Sequence, residues 1–277
     1  MKAPAGWSYR WARRRPLGEM ASEVGTGLSR ISVLIGLWLA QLLCYAPFVT
    51  IMAHRGPGVA AAATARGLAL AAWEQRLGLF VEPRLAALTG AASARAALTW
   101  LYLWPHSLLL CVYAPLVAWR RRDALFPFVL RCWWAMGLGS ICFFFLPVAP
   151  PRLLPPVAVS GGWVRFSDGL AEMTEGGPSF DQYAAFPSYH VAFAVIVLGT
   201  AMACWPGRAS RILGLGYVAG ISLVVVITAN HFLADVLGGL ALGALSGLGT
   251  RLSLRASAWA RSRLGGQGWP PRAARAA

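Results

Sequence analysis

Long runs of apolar residues with few or no charges recur along the chain and dominate its pattern. A transmembrane helix needs about 20 consecutive, mainly apolar residues, and each run is of roughly that length. Only Arg131 and Asp235 place a formal charge inside a run. The pattern predicts an all-α, polytopic membrane protein with six transmembrane helices, at residues 31–53, 96–119, 125–150, 186–206, 212–230 and 232–250.

The segments between and beyond these runs differ from them in character. Residues 59–79 are rich in alanine but contain several charged side chains, which favours a helix lying at the membrane interface over one that spans the bilayer. Residues 1–30 are predicted to form a basic cytoplasmic tail. Residues 251–277, rich in Arg, Ala, Gly and Pro, are predicted to form a disordered cytoplasmic tail. One six-span domain, at residues 31–250, lies between the two tails.

Composition and charge support this picture and orient it. Hydrophobic residues make up 57% of the chain and charged residues 13%, about half the charged fraction of a typical soluble domain, which is about 25%. If the N-terminus is cytoplasmic, the segments between the runs lie alternately outside and inside the cell. The cytoplasmic segments then hold most of the 25 basic residues, and the opposite loops hold most of the acidic residues. This positive-inside pattern accounts for the net charge of +15 without a nucleic-acid partner. It predicts an integral protein, of the plasma membrane, with the loops at 54–95 and 149–185 and the turn near Asn230 on the non-cytoplasmic face.

The first candidate for chemistry opens the fourth predicted span, with Pro187, Ser188, Tyr189 and His190 in succession. Proline is favoured in the first turn of a helix, and the unpaired N–H groups of that turn can bind an anion. Ser188 adds a hydroxyl donor, and His190 is a candidate proton donor beside the same anion. The alternative is a proline-capped helix with an incidental histidine.

The second candidate is the pair His231 and Asp235. Positions four apart lie on one face of a helix, where the carboxylate can accept the imidazole N–H and raise the basicity of the other ring nitrogen. A nucleophilic histidine needs such activation. The alternative is a buried pair that braces two helices, but an ionisable residue inside a span usually indicates function.

The third candidate, Arg152, follows the third predicted span. A guanidinium can hold a phosphate through two parallel hydrogen bonds, although a lone interfacial arginine is often only an anchor for lipid headgroups. Metal ligands are not indicated, because the cysteines all lie in apolar runs without metal-ligand spacing: Cys44, Cys111, Cys132, Cys142 and Cys204.

Together these motifs resemble a known family. A Pro-Ser-x-His motif followed about forty residues later by His-x-x-x-Asp is similar to the type 2 phosphatidic acid phosphatase superfamily. The local sequences PVAPPRLL, AAFPSYHVAF and TANHFLADVLGG resemble more closely its inositol phosphorylceramide synthase branch. That branch tends to carry a Tyr-x-x-x-His motif, matched by Tyr102 and His106, and an arginine at the position of Arg131. The resemblance covers roughly residues 70–250.

The resemblance implies a role for each matching residue. His231 would attack phosphorus and become a phosphohistidine, Asp235 would orient it, and His190 would protonate the leaving oxygen and then activate the acceptor. The phosphoryl oxygens would be held by Ser188, its neighbouring amides and Arg152. These donors would meet the developing charge themselves, so no metal or other cofactor is expected. The candidate substrate pocket comprises Tyr102, His106 and Asn230.

The chain also departs from the phosphatases of the superfamily. Their Lys-x6-Arg-Pro motif has no counterpart, since Lys2 is the only lysine, and Val224 and Val225 stand where they carry Ser-Arg. The synthase-like branch lacks these groups too, so the departures favour it. Arg131 could supply the missing positive charge to the phosphate if its helix turns it inward. An arginine at the centre of a span costs about 3 kcal/mol on insertion scales, which argues that it faces protein or water.

Three functions stay open at this point. A phosphotransferase would pass a headgroup phosphate from a membrane lipid to a lipid or polyol acceptor, whereas a lipid-phosphate phosphatase would use water. A non-catalytic transporter or scaffold would tolerate the loss of both histidines. The sequence indicates no particular protein partner.

Overall fold

Helices make up nearly all the regular structure in the computed structural model, which describes residues 32, 35, 36, 39, 40, 56–87, 92–103, 105–159, 162–164, 166 and 182–264. A short 3-10 turn and an antiparallel hairpin lie between the fifth and sixth helices. The prediction of a helical protein is confirmed for this part of the chain. Its helices are α1 (Pro57–Arg76), α2 (Glu82–Ala87), α3 (Ala92–Leu103), α4 (Pro105–Arg120), α5 (Arg122–Phe145), α6 (Tyr189–Cys204), α7 (Arg208–Ile227) and α8 (Leu233–Leu264); the 3-10 turn is Pro151–Leu153, and the strands are β1 (Val157–Val159) and β2 (Gly162–Val164).

Three of the described helices are long and apolar enough to cross a membrane: α5, α7 and the Leu233–Ala260 part of α8. Helix α6 is equally apolar but has only 16 residues. The predicted span at 96–119 is divided between α3 and α4, because Pro105 begins a new helix, as proline at a first helical position commonly does. The predicted span at 31–53 lies outside the described residues except for a few helical positions. The count of six spans therefore stays a prediction.

The last helix is longer than the sequence pattern indicates. Helix α8 continues beyond the predicted span end at residue 250 as far as Leu264, so the first part of the expected disordered tail is helical. Alanine, leucine and arginine are strong helix formers, and an arginine such as Arg263 near a helix C-terminus is favoured by the helix dipole. Residues 265–277 lie outside the described part of the chain.

The central packing brings α6 against α5, α7 and α8. Buried side chains such as Phe128 of α5, Ile196 of α6 and Leu242 of α8 belong to one hydrophobic cluster. Gly239 of α8 lets the starts of α6 and α8 come together, since a Cβ there would lie 2.5 Å from the carbonyl oxygen of Ser188. The two candidate histidine motifs are thus brought to one end of the helix packing.

Helix α1 lies against the loop after α5 and the start of α8. Its buried face is made of small residues, Ala63, Gly67 and Ala71, and a Cβ on Gly67 would lie 2.6 Å from the carbonyl oxygen of Ala149. The N–H of Ala149 donates to the carbonyl of Ala63 (3.1 Å). A helix therefore forms where the sequence predicts one, and its interfacial position stays a prediction.

Large apolar side chains are exposed on the helices that could span a bilayer. Ile141 and Phe145 of α5, and Ile212 and Leu213 of α7, each expose more than half of their surface. A soluble monomer rarely exposes continuous apolar surface of this kind. The exposure agrees with the low charged fraction of the chain and indicates a protein that associates with the membrane.

Candidate active site

Main-chain hydrogen bonds join the start of α6 to the first turn of α8, and the loop after α5 to the turn that precedes α8. The N–H of Ser188 donates to the carbonyl of Asp235 (3.0 Å), and the N–H of Arg152 donates to the carbonyl of Ala229 (3.0 Å). Ala229 adopts a left-handed backbone conformation, with φ of 53°, at the turn after α7. All three motifs singled out in the sequence therefore converge at one place.

His231 lies in the turn between α7 and α8 and is only 4% exposed. Its backbone N–H donates to the carbonyl of Val225 (3.1 Å), and its ring Nδ1 lies 2.8 Å from the carbonyl oxygen of Ala185. A carbonyl oxygen only accepts hydrogen bonds, so Nδ1 carries the hydrogen in this contact. In the neutral imidazole the lone pair is then on Nε2, which is the state that a nucleophilic histidine requires.

Asp235 is fully buried, but its main partner differs from the one expected. Its Oδ2 accepts the N–H of Phe232 at 2.8 Å, whereas the same oxygen lies 3.5 Å from Nδ1 of His231, longer than an ordinary hydrogen bond. The reason is that α8 begins at Leu233, so His231 precedes the helix. Asp235 occupies the third helical position, from which a carboxylate commonly reaches back to the N-cap amide. Its charge still lies beside the imidazole.

His190 stands in the first turn of α6 opposite His231. The two ring centroids are 6.2 Å apart and the rings are inclined by 61°. Tyr102, near the end of α3, stacks on His190 with a centroid distance of 4.2 Å. Of the expected pocket residues, Tyr102 is therefore placed beside a catalytic candidate. His106 is the second residue of α4, and its side chain lies outside the described ones.

Arg152 and Asn230 form a buried pair. The Nε of Arg152 donates to Oδ1 of Asn230 at 2.8 Å, and Nδ2 of Asn230 donates to Oγ1 of Thr228 at 2.9 Å. The arginine is 9% exposed and Asn230 is 4% exposed. This chain of contacts orients the guanidinium from one edge and places it next to the turn that carries His231.

Ser188 is the N-cap residue of α6 and is fully buried. No side chain caps this helix start, and within the described part of the chain the Oγ of Ser188 has no hydrogen-bond partner. A buried hydroxyl without a partner is costly unless something else binds to it. Helix starts of this kind bind anions through their N–H groups and the helix dipole.

Arg131 is not brought to this site. Its Nη1 would lie 3.0 Å from a Cβ on Gly199, and Gly199 is more than two turns further along α6 than His190. At 1.5 Å per residue the separation along the helix is about 14 Å. The expectation that Arg131 binds the phosphate is therefore corrected, because its position along α5 places it at a different depth.

Two glutamates to which the sequence assigned no role lie against the start of α8. Glu74 Oε1 accepts the N–H of Ala234 at 2.7 Å, and Glu82 Oε1 accepts the N–H of Leu233 at 2.8 Å. Both side chains are buried, to 1% and 0% exposure. The pKa of Glu74 is raised to about 8, chiefly by burial and secondly by its interaction with Glu82. Burial also raises the pKa of Glu82.

The sequence signal that could have located Glu74 is the four-residue spacing of small residues in α1. Ala63, Gly67 and Ala71 form one buried face, and Glu74 continues it by almost one further turn. No comparable pattern surrounds Glu82. Among the described residues, no three His, Cys, Asp or Glu side chains form a group that could hold a metal ion.

Comparison with known proteins bears on the same region. The family model described as the PAP2 superfamily matches residues 68–248, about two thirds of the chain, and the match includes both histidines, Asp235, Ser188 and Arg152. No curated protein and no solved structure matches the chain.

Proposed function

The chain belongs to the PAP2 superfamily, and from this premise we propose that it is a membrane phosphotransferase that works through a phosphohistidine at His231. Members of the superfamily act on phosphate esters as phosphatases or phosphotransferases, and the chain is an enzyme of this class. The proposed donor is a lipid phosphodiester, and the proposed acceptor is a hydroxyl of a second lipid or of a polyol, as in inositol phosphorylceramide synthases. The proposed location is the non-cytoplasmic face of the plasma membrane.

The observation that carries the proposal is the hydrogen bond from Nδ1 of His231 to the carbonyl of Ala185. It holds the ring, sets the tautomer and leaves the Nε2 lone pair for attack on phosphorus. His190, with its ring centroid 6.2 Å from that of His231, can reach the same phosphoryl group.

The phosphoryl oxygens have donors on two sides of this histidine pair. Ser188 Oγ and the first-turn amides of α6 would bind one face of the phosphate. Arg152 would bind with its terminal nitrogens, because its Nε is engaged by Asn230. Preorganised donors of this kind stabilise the charge that develops in the transition state.

The proposed reaction has two steps. Nε2 of His231 forms a bond to phosphorus while the bond between phosphorus and the lipid oxygen breaks, and a protonated His190 donates its proton to that leaving oxygen. His190 then accepts the proton of the acceptor hydroxyl, whose oxygen attacks phosphorus, and the N–P bond breaks with its electron pair returning to Nε2. Asp235 stabilises the positive charge on His231 during both steps.

The acceptor separates a transferase from a phosphatase. The burial of His231 and Ser188 supports an acceptor that enters from the lipid side, since exclusion of water protects a phosphohistidine from hydrolysis. We expect purified protein with labelled phosphatidylinositol and a lipid alcohol to yield the labelled headgroup on the acceptor. Release of inorganic phosphate from a labelled lipid monophosphate, with no transfer, would instead identify a phosphatase.

Trapping of the phosphoenzyme tests the role of each histidine. His231→Ala should abolish both turnover and the acid-labile phosphoenzyme, because it removes the nucleophile. His190→Ala should lower turnover by about 100- to 10,000-fold, while a substrate with a good leaving group still labels the protein slowly. His54→Ala, which belongs to neither motif, is the control. Labelling of folded His231→Ala protein would refute the proposal.

A further inference from the structure

The start of α8, the helix that follows His231, is enclosed by carboxyl groups from three elements. The N–H groups of Phe232, Leu233 and Ala234 donate to Asp235 (2.8 Å), Glu82 (2.8 Å) and Glu74 (2.7 Å), respectively. First-turn amides have no partner within their own helix, so these carboxyl groups satisfy them. The two glutamates come from α1 and α2, 160 and 151 positions away from the amides they bind.

Glu74 and Glu82 also interact with each other. The two carboxyl groups bind the amides of adjacent residues, Ala234 and Leu233, so they lie side by side in a buried site. Their Oε2 atoms are buried and have no hydrogen-bond partner within the described part of the chain. Two buried carboxylates this close repel each other, so the pair keeps one proton in preference to two negative charges.

This arrangement has two consequences for the neighbouring site. The N-terminus of α8 is closed to a phosphate, which leaves the start of α6, where no side chain provides a cap, to bind it. The position of the α8 first turn, and with it the turn holding His231, is set by α1 and α2. A small displacement there would move His231 away from the carbonyl of Ala185.

We propose that Glu74 and Glu82 are positioning residues which, as a pair sharing one proton, hold the start of α8 so that His231 stays in its reactive orientation. This inference rests on the proposed function for its kinetic consequences only. Asp235 is the titratable group of α8 that faces the pair, and its negative charge favours retention of the shared proton. His231 lies beyond Asp235, at 3.5 Å from its Oδ2.

The direction of the pH effect follows from the raised pKa of Glu74. The folded protein holds this proton up to about pH 8, whereas the unfolded chain releases it near pH 4.5, the ordinary pKa of a glutamate. The stability that the pair contributes is therefore greatest in acid and declines as the pH rises through the interval between these values. Turnover should also fall as the pH passes about 8, because two adjacent carboxylates then repel and loosen the start of α8.

Alanine and glutamine variants distinguish positioning from simple packing. Glu74→Ala should lower kcat by about 10- to 100-fold with little change in KM, which is the scale of effect of a small misplacement of a catalytic group. Glu74→Gln keeps an oxygen for the N–H of Ala234 and an amide donor for Glu82, so it should restore most of the lost kcat. It should also lack the decline of kcat above about pH 8. Asp123→Asn, at an exposed carboxylate, is the matched control and should keep the wild-type profile.

Hydrogen exchange gives a readout that does not depend on the reaction. Amides 232–234 should exchange faster in Glu74→Ala than in wild-type protein. Above about pH 8 they should also exchange faster in wild-type protein than in Glu74→Gln. Unchanged exchange in Glu74→Ala, or the same alkaline decline of kcat in Glu74→Gln, would overturn the proposal. Failure of phosphoenzyme trapping would refute the proposed function and leave this exchange result standing.

Discussion

At the residue scale, two groups beside His231 have different effects: one orients its ring and the other supplies negative charge. The carbonyl of Ala185 holds the ring by Nδ1, whereas Asp235 caps the helix and contributes its charge from 3.5 Å. A backbone carbonyl can orient an imidazole but carries no full charge to stabilise an imidazolium. Under the proposed mechanism, we therefore expect Asp235 to act through its charge more than through a hydrogen bond to the ring.

Substitution of Asp235 can separate charge from capping. Asp235→Asn keeps an oxygen that can accept the N–H of Phe232, so its unfolding temperature should stay close to that of the wild type. It should lose most activity, by about 100-fold or more, because a neutral amide does not stabilise the charged imidazole. Asp235→Ala should additionally lose about 1 kcal/mol of stability with the cap. Normal turnover by Asp235→Asn would show that the charge is dispensable.

Arg152 is the second residue whose role a matched pair of variants resolves. Arg152→Ala should lower kcat/KM by about 10- to 150-fold, which corresponds to the 1.5–3 kcal/mol of a charge-assisted hydrogen bond. Arg152→Lys should recover only part of this, since an ammonium neither binds phosphate bidentately nor reproduces the planar Nε contact to Asn230. Arg211→Ala, exposed on α7, provides the control. If Arg152→Ala kept full kcat/KM with the lipid substrate, the residue would have no part in binding it.

At the scale of elements, the site depends on how closely α6 approaches α8. The first turns of these helices carry His190 and Asp235, and the main chain of Ser188 donates to that of Asp235. Glycine at 239 permits the approach, since any larger residue would meet the carbonyl of Ser188. The spacing of the two candidate motifs along the sequence does not determine how closely the two helices approach each other.

Alanine substitution in α8 tests the approach directly. Gly239→Ala places a methyl group 2.5 Å from the Ser188 carbonyl oxygen, so the helices must move apart; we expect a loss of about 1–3 kcal/mol of stability and a marked loss of turnover. Gly247→Ala on the same helix meets nothing within 4 Å and should be neutral or stabilising, because alanine favours a helix. Equal behaviour of the two variants in thermal unfolding and turnover would exclude a role for close packing at Gly239.

At the scale of the whole molecule, membrane topology decides which compartment the site faces. The basic residues favour both termini in the cytoplasm, and this requires an even number of spans. The described helices with exposed apolar surfaces, α5, α7 and α8, supply three spans by length and composition. The number of further spans depends on whether helix α6 and the α3–α4 segment also cross the membrane.

Reporter fusions at the two termini test this topology. A reporter active only in the cytoplasm should give a signal at both ends, and a reporter active only outside should give none. Insertion of the outside reporter after Gly78, in the turn between α1 and α2, is the internal control and should be positive. A C-terminus found outside would move the histidine pair to the cytoplasmic face, because the single helix α8 joins them.

Much of the candidate site could be predicted from the sequence because its proposed chemistry depends on side chains with a recognisable order. His190, His231, Asp235, Arg152 and Ser188 are residue types that phosphoryl transfer requires, placed beside helix starts and span ends. The apolar runs likewise predict helices, since the need to satisfy every backbone polar group in lipid admits few other structures. These inferences use only the local pattern of residues, which the sequence contains in full.

The remaining features depend on contacts between distant segments. The partner of His231 is the carbonyl of Ala185, a group that every residue possesses and that no sequence pattern distinguishes. In the sequence, Glu74 and Glu82 are charged residues of the predicted outer segment 54–95. Only the folded structure places them 2.7–2.8 Å from amides of α8. From the sequence alone, Arg131 could bind the phosphate, but helix packing places its side chain beside Gly199, away from the histidine pair. In each case the deciding quantity is a distance across the fold, which follows from how helices pack and not from the order of residues along one of them.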